Sequence, residues 1–314
     1  MKIFITGGAG FIGSHLAHRL IDEGNSVCVF DNLSSGREEH LSPFLKNPNF
    51  RFVRADILDF PVLAKSLKGF DLVFHLASNP DIAKGITDPS LDLKQGILST
   101  FHVLDAMRVN RIEKLVFFSG SGVYGDAGTF YTPEDFGPLL PVSMYGASKL
   151  GAEALVSAFC HMFGMKAWVF RFANIVGARQ THGVIYDFIR KLNRNKRSLE
   201  ILGNGLQSKS YLHVSDCLNA VFHCLERAKN CVNTFNVATS DYTTVNEIAH
   251  LVIKELRLKN VRLKYTGGST GWKGDVPVVR LNVEKIRKLR WKAQLSSYEA
   301  VKRAVQENIN LPCR

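Results

Sequence analysis

The chain has 314 residues, 46% hydrophobic and 22% charged, length enough for one large α/β unit or two lobes of about 150 residues each. That balance excludes a disordered polymer, a collagen-like repeat and a small disulfide scaffold, and no apolar run reaches the roughly 18 residues that a membrane-spanning helix needs. The 40 Lys and Arg against 28 Asp and Glu leave a formal charge of +12, a field that favours anionic ligands such as nucleic acid, a membrane surface or a nucleotide-linked metabolite.

In chain order, residues 2–6 read as a strand running directly into a glycine turn, a pattern no secretory leader has. A helix is predicted over 14–22, and further strands over 26–31, 50–54, 72–76, 115–119 and 167–172. The apolar runs end in Gly, small polar residues or Asp and alternate with helix-period segments. That alternation is the signature of βαβ units in a doubly wound parallel sheet. Helical periodicity also marks 101–107 and 152–161. Beyond about Gly177 the pattern loosens into mixed helices, hairpin-like segments and polar loops, which predicts a second, smaller lobe. The expected division is 1–172 for the first domain, with some later segments returning to it, and 173–314 mainly for the second lobe.

Basic residues are dense over 190–197, 257–264 and 285–292. Leu, Ile and Val interrupt each stretch, as on solvated faces of helices and strands, so a dedicated nucleic-acid patch is not expected. The six cysteines, Cys28, Cys160, Cys217, Cys224, Cys231 and Cys313, include no C-x-x-C pair and read as reduced thiols of a cytoplasmic protein. No His, Cys, Asp or Glu cluster has metal-ligand spacing. His75 and His213 read as packing or capping residues, and Phe70, Phe74, Phe117 and Phe118 as buried sheet faces.

The turn Thr6-Gly7-Gly8-Ala9-Gly10-Phe11-Ile12-Gly13 carries G-x-x-G-x-x-G at Gly7, Gly10 and Gly13. It follows an apolar strand and opens a helix, the context in which such glycines allow a backbone to approach a pyrophosphate. The helix N-terminus then offers free N–H groups and the positive end of its dipole. Asp31 closes the second strand, where a carboxylate accepts from a ribose 2′-hydroxyl and repels a 2′-phosphate, favouring NAD over NADP. Arg37 lies near enough in sequence to temper that preference. Asp56, after the third strand, reads equally as an adenine contact or a solvated loop carboxylate.

Tyr145-Gly146-Ala147-Ser148-Lys149 sets a phenol and an ammonium one helical turn apart. A cation near Tyr favours the phenolate and brings it toward use as a general base. The pair follows the glycine turn, five strands and the 119–125 loop in an order that suits a dehydrogenase-type site.

On these residues the chain resembles the extended short-chain dehydrogenase/reductases, the NAD-dependent epimerase/dehydratase family. TGGAGFIGSHL (6–16), DNLSSG (31–36), VYG (123–125), YGASK (145–149), RFANIVG (171–177) and SYLHVSD (210–216) carry the likeness, which covers nearly the whole chain. HGVIYDFI (182–189) and GWKGDVP (271–277) are most similar to the UDP-glucose/UDP-galactose 4-epimerase branch. The resemblance implies a Rossmann-type sheet with a smaller C-terminal substrate-binding lobe, NAD as cofactor, a UDP-sugar as substrate and a homodimer built on the 101–107 and 152–161 helices. It implies that Tyr145 moves the proton of the sugar 4-hydroxyl and that Lys149 holds the cofactor ribose and lowers the Tyr145 pKa. The cofactor would meet Gly7, Gly10, Phe11, Ile12, Gly13, Asp31, Asn32, Ser35, Gly36, Asp56, Ile57, Leu76, Ala77, Ser119, Tyr145 and Lys149. The substrate would meet Ser121, Tyr145, Asn174, Lys209 and Asp275, with the 203–211 loop and the 272–275 turn holding the nucleotide.

Several positions depart from the family pattern. The hydroxyl residue three positions before the Val of V-Y-G is Gly120, so a neighbour, Ser121 in preference to Ser119, is expected to substitute. Ser121 and Gly122 stand where dehydratases and decarboxylases carry acids. A common Asn is Gly96, and a phosphate-binding Arg is Lys209, which meets an anion as a point charge without the bidentate fork. Another phosphate Arg is Trp272. The leading expectation is a nucleotide-sugar 4-epimerase. A dehydratase or reductase on the same scaffold, or a weakly catalytic nucleotide- or RNA-binding member, are the alternatives.

Overall fold

Four of the five residues of β1 (Lys2–Thr6) are buried, as in a central parallel strand covered on both faces. The computed structural model describes residues 1–309, and β1 lies inside a seven-stranded sheet. Its other members are β2 (Ser26–Asp31), β3 (Phe50–Arg54), β4 (Leu72–His75), β5 (Lys114–Gly120), β6 (Lys166–Phe172) and β7 (Val232–Val237), in the spatial order β7-β6-β5-β4-β1-β2-β3. The pairs β1·β2, β1·β4, β2·β3 and β4·β5 are all parallel. The chain winds from β1 outward to β3 and returns to β4 on the other side of β1. That reversal is the switch point beyond whose carboxyl ends such sheets hold ligands.

The chain divides into two compact units. The first comprises Met1–Val123, Met144–Arg171 and Cys224–Phe235; the second comprises Tyr124–Ser143, Phe172–His223 and the described residues from Asn236 onward. The path between them is more broken than a single division near 172, because residues 124–143 cluster with the second unit.

In the first unit, Phe4, Phe30, Val73, Leu115, Phe117 and Val169 of the sheet share a core with Leu63, Leu104, Met107 and Val156. These last come from α2 (Phe60–Ser66), α3 (Ser99–Val109) and α4 (Met144–Phe163). Ahead of them, α1 (Phe11–Asp22) starts three residues earlier than the 14–22 expected. Gly13 sits in its first turn although glycine is a poor helix former. His75 is a satisfied core histidine: its ring nitrogens lie 2.7 Å from Thr6 Oγ1 and 3.0 Å from Thr100 Oγ1. Burial, with the charge of Lys149 adding, holds its pKa down to about 3.

The second unit has its own core of Val176, Ile185, Phe188, Leu192, Ile248, Leu251, Val301 and Val305. They come mostly from α5 (Val184–Arg194), α7 (Val245–Glu255) and α8 (Ser297–Ile309), with α6 (Val214–Arg227) before α7. Thr244 and Glu247 close a reciprocal capping box at the start of α7. Among the described residues the expected hairpins do not form, and the antiparallel pair of Ser208–Lys209 with Thr243–Thr244 joins strands distant in sequence. Asn174–Val176 pairs with Tyr211–His213, and Ser198–Ile201 with Arg262–Tyr265, both in parallel. Parallel pairing requires long crossovers, so local alternation misread these strands. Among the described residues no helix is long and apolar enough to cross a membrane. Cys28, Cys160, Cys217, Cys224 and Cys231 are free thiols, and Cys313 lies outside the described residues.

Candidate active site

Gly7 follows β1 with φ at +69°, and a Cβ there would stand 2.7 Å from the Ala77 backbone nitrogen. A Cβ on Gly13 would stand 2.3 Å from the Gly7 carbonyl oxygen. Backbone therefore packs directly on backbone through the turn. Gly10, the N-cap of α1, offers no side-chain cap, which leaves the first N–H groups, those of Phe11, Ile12 and Gly13, to a ligand.

Asp31, buried at the end of β2, accepts from Ala9 N at 3.0 Å and from Leu33 N at 2.8 Å. Burial raises its pKa against those two donors. A Cβ on Gly36 would meet Ala9 Cβ and Asp31 Oδ1, each at 2.9 Å, and Arg37 N donates to Ala9 O. The 31–36 loop is thus folded onto the glycine turn. Asn32 donates to Asp56 at 2.9 Å, joining two more of the expected positions. Leu76 N and Ala77 N donate to the carbonyl and hydroxyl of Thr6. Ile57 packs against the sheet core, and Ser35 is an exposed loop residue. Free N–H groups facing a buried carboxylate across a glycine cradle suit a dinucleotide, with its pyrophosphate on the helix end and a ribose diol on Asp31.

Tyr145 and Lys149 occupy one face of α4. Lys149, 3% exposed, donates from Nζ to the Phe118 carbonyl at 2.8 Å, and lies 5.6 Å from the centre of the Tyr145 ring. Burial pulls the ammonium down to about 8, opposed by the charges of Glu153 and Asp92. Burial pushes the Tyr145 phenol up to about 12, and Asp92 adds to it. The expected lowering of Tyr145 by Lys149 is therefore not achieved by these side chains alone, because burial and the charge of Asp92 both disfavour the phenolate.

The loop after β5 separates the two serines. Ser119 donates to Glu153 at 2.5 Å, and Arg171 also donates to both Glu153 carboxylate oxygens, most closely at 2.7 Å. That ion pair is almost wholly buried, so the Ser119 hydroxyl is committed. Ser121 opens the short turn Ser121–Tyr124, away from the Glu153 carboxylate that engages Ser119. Between them, a Cβ on Gly120 would stand 3.6 Å from the Tyr145 hydroxyl, ordinary contact distance, so this position has room. Gly96 has none: its Cβ would meet Ser148 Oγ at 2.5 Å.

In the second unit, Lys209 and Asp275 form an ion pair at 2.7 Å, with Lys209 Nζ 5.6 Å from the centre of the Trp272 ring. Asp275 also accepts from Gly271 N. Asn174 hydrogen-bonds the hydroxyl of buried Tyr211, whose phenol burial drives upward, with the Asn174 bond opposing and the charge of Asp275 adding. Nearby, Arg280 stacks 3.6 Å from the Tyr242 ring centre and donates to Ser208 O. Among the described residues no three His, Cys, Asp or Glu side chains converge as a metal site.

Sequence reasoning did not pick out Glu153, Arg171, Asp92, Asn79, Tyr211 or Arg280. Only Glu153 carried a signal, since Tyr145, Lys149 and Glu153 recur at four-residue spacing along one stripe of α4.

A family model described as the NAD dependent epimerase/dehydratase family matches residues 3–238. The chain is 32% identical over 310 residues to a putative UDP-glucose 4-epimerase of Methanocaldococcus jannaschii, covering 96% of this chain and 97% of the relative. A crystal structure of UDP-galactose 4-epimerase is similar with a TM-score of 0.87 at 38% identity, over 98% of each chain. A UDP-N-acetylglucosamine 4-epimerase from Methanobrevibacter ruminantium M1, in complex with UDP-N-acetylmuramic acid, gives a TM-score of 0.86 at 29% identity, covering 98% of this chain and 97% of that one. A match running from β1 through the end of β7 takes in the glycine turn, Asp31 and the Tyr145–Lys149 pair alike, and on it the chain belongs to the NAD-dependent epimerase/dehydratase family of enzymes.

Proposed function

We propose that this enzyme is a UDP-sugar 4-epimerase that interconverts UDP-glucose and UDP-galactose. The observation that carries the reading is Tyr145, one turn from the buried Lys149 ammonium and with its hydroxyl at ordinary contact distance from the side-chain position of Gly120, in a chain similar along nearly its full length to a putative UDP-glucose 4-epimerase. Gly7, Gly10, Gly13 and Asp31 would hold NAD⁺, which would supply a reversible hydride acceptor and a positive ring for oxidation and re-reduction at the sugar C4 without net redox change.

Tyr145 takes the proton of the 4-hydroxyl and returns it. A phenol held up at about 12 is scarcely ionised at neutral pH, so catalysis needs the phenolate favoured beyond what the side chains alone achieve; the Lys149 ammonium and the positive ring of bound NAD⁺ would together do so. Ser121 holds the sugar hydroxyl, since Ser119 is engaged by Glu153. Lys209, Asp275, Trp272 and Asn174 hold the uridine diphosphate, Lys209 as a point cation. Asp31 favours NAD over NADP by repelling a 2′-phosphate.

The outer faces of α3 and α4 expose Phe101, Val109, Met162 and Phe163, and this supports a homodimer in which two such faces meet. The free thiols suit the cytoplasm.

The test is product analysis by NMR after incubation with UDP-glucose or UDP-galactose and catalytic NAD⁺, with UDP-N-acetylglucosamine and UDP-glucuronate run in parallel. Interconversion of glucose and galactose without NADH build-up is expected. Loss of water, or stoichiometric NADH, would assign a dehydratase or a dehydrogenase instead.

A further inference from the structure

Asp92 ends the short helix Pro89–Asp92 and is only 1% exposed. Its Oδ1 accepts from Asn79 Nδ2 at 3.0 Å. Asn79 is itself buried, and its amide also grips the turn beyond it, donating to Asp81 O at 2.8 Å and accepting from Asp81 N at 3.0 Å. The Asp92 Oδ2 atom is buried and has no hydrogen-bond partner. A Cβ on Gly85 would stand 2.8 Å from that oxygen and 3.2 Å from Met144 Cβ. The unpaired oxygen therefore occupies a gap left by a glycine, against the residue that precedes Tyr145. A half-paired buried carboxyl is costly, and packing gives no reason to keep one here.

We propose that Asp92 is a positioning residue of the Tyr145–Lys149 pair, a buried carboxylate clamped by Asn79 and set beside the first turn of α4, whose charge bears on that pair. The proposal deepens the 4-epimerase reading and rests on it for the turnover assay alone. The charged and titratable groups around Asp92 are Tyr145 and Lys149 from α4 and Asp88 from its own segment. Lys149 in turn faces Glu153 from α4 and His75 from β4. Burial raises the pKa of Asp92, the Asn79 bond and the Lys149 charge oppose that rise, and Asp88 adds to it.

A negative charge raises the pKa of any neighbour whose protonated form carries more positive charge. Removing it therefore lowers both Tyr145 and Lys149. In Asp92→Asn, Lys149 should lose its proton at lower pH than in the native protein by on the order of one unit. Both limbs of the kcat/KM profile should move to lower pH together, whereas a purely structural defect would depress the plateau and leave the limbs in place.

The primary measurement is the titration of the Lys149 Cε resonance in lysine-labelled protein, assigned by its loss in Lys149→Arg, for the native chain and for Asp92→Asn. Burial brings Lys149 down to about 8, within the range such a titration covers. A downward shift supports the proposal; an unmoved Lys149 midpoint with unmoved limbs in folded Asp92→Asn overturns it. If that variant does not fold, Asp92→Ser carries the same test at smaller volume. The titration needs no substrate, so a shifted Lys149 without sugar turnover defeats the function and spares Asp92, while turnover with a static Lys149 does the reverse.

Discussion

Glycine closes the packing at residues 7–13 and opens it at residues 120–122. At Gly13 an added Cβ would stand 2.3 Å from a backbone oxygen, and at Gly8 it would stand 2.6 Å from Val29. At Gly120 the nearest atom is the Tyr145 hydroxyl at 3.6 Å, and at Gly122 it is Gly146 Cα at 3.4 Å. The first region cannot accept a side chain without moving backbone or a buried valine. The second can accept one at small steric cost, and what a new side chain would touch there is the proposed base. One residue type thus serves rigidity at the nucleotide turn and adjustability at the reacting end.

The sharpest separation of the two regions comes from Tyr145→Phe. It should lower kcat by at least about 10³-fold, the scale of a lost general base, while NAD affinity measured calorimetrically stays within about threefold, below about 0.7 kcal/mol. Turnover that survives would remove chemistry from the 120–122 side. Next in size, Gly13→Ala should weaken NAD binding by about 100-fold, near 2.7 kcal/mol, because relief of the clash displaces the Gly7 carbonyl and the end of α1. Asp31→Asn should cost about tenfold in NAD affinity and narrow the preference over NADP, read in the same titrations, since a neutral amide no longer repels a 2′-phosphate. The smallest effect is expected at Gly120. Gly120→Ala should leave Tm within about 2 °C, and Gly120→Ser should raise turnover by up to about tenfold by placing a hydroxyl beside Tyr145. If Gly120→Ala destabilises as much as Gly13→Ala does, the contrast between the two regions fails.

Legibility followed the range of the interactions. The glycine turn, Asp31 and the Tyr145–Lys149 spacing are local patterns, and their strand and helix settings could be read from neighbouring residues. The preference for Ser121 over Ser119 had no local support in the sequence, because the distinction lies in Glu153 and Arg171, contributed by α4 and β6. Asp92 carries no local pattern that marks it, and only its burial against Asn79 and Gly85 sets it apart. Gly96 read as a missing amide; the structure shows Ser148 filling the place where a side chain would go. The parallel pairs of the second unit were invisible for the same reason, since their partners are joined by long crossovers.

The strand β7 has a consequence for how the protein is made. Residues 224–235 belong to the first unit, although the chain has by then passed through 172–223 in the second. On the ribosome, the sheet stays one strand short until Val237 has emerged. A nascent chain that stops earlier presents β6, with its buried Trp168 and Phe170, as an unpaired edge open to association with other chains. The two units are therefore expected to mature together late in synthesis, and truncation before residue 232 should yield aggregate in place of a free-standing nucleotide-binding half.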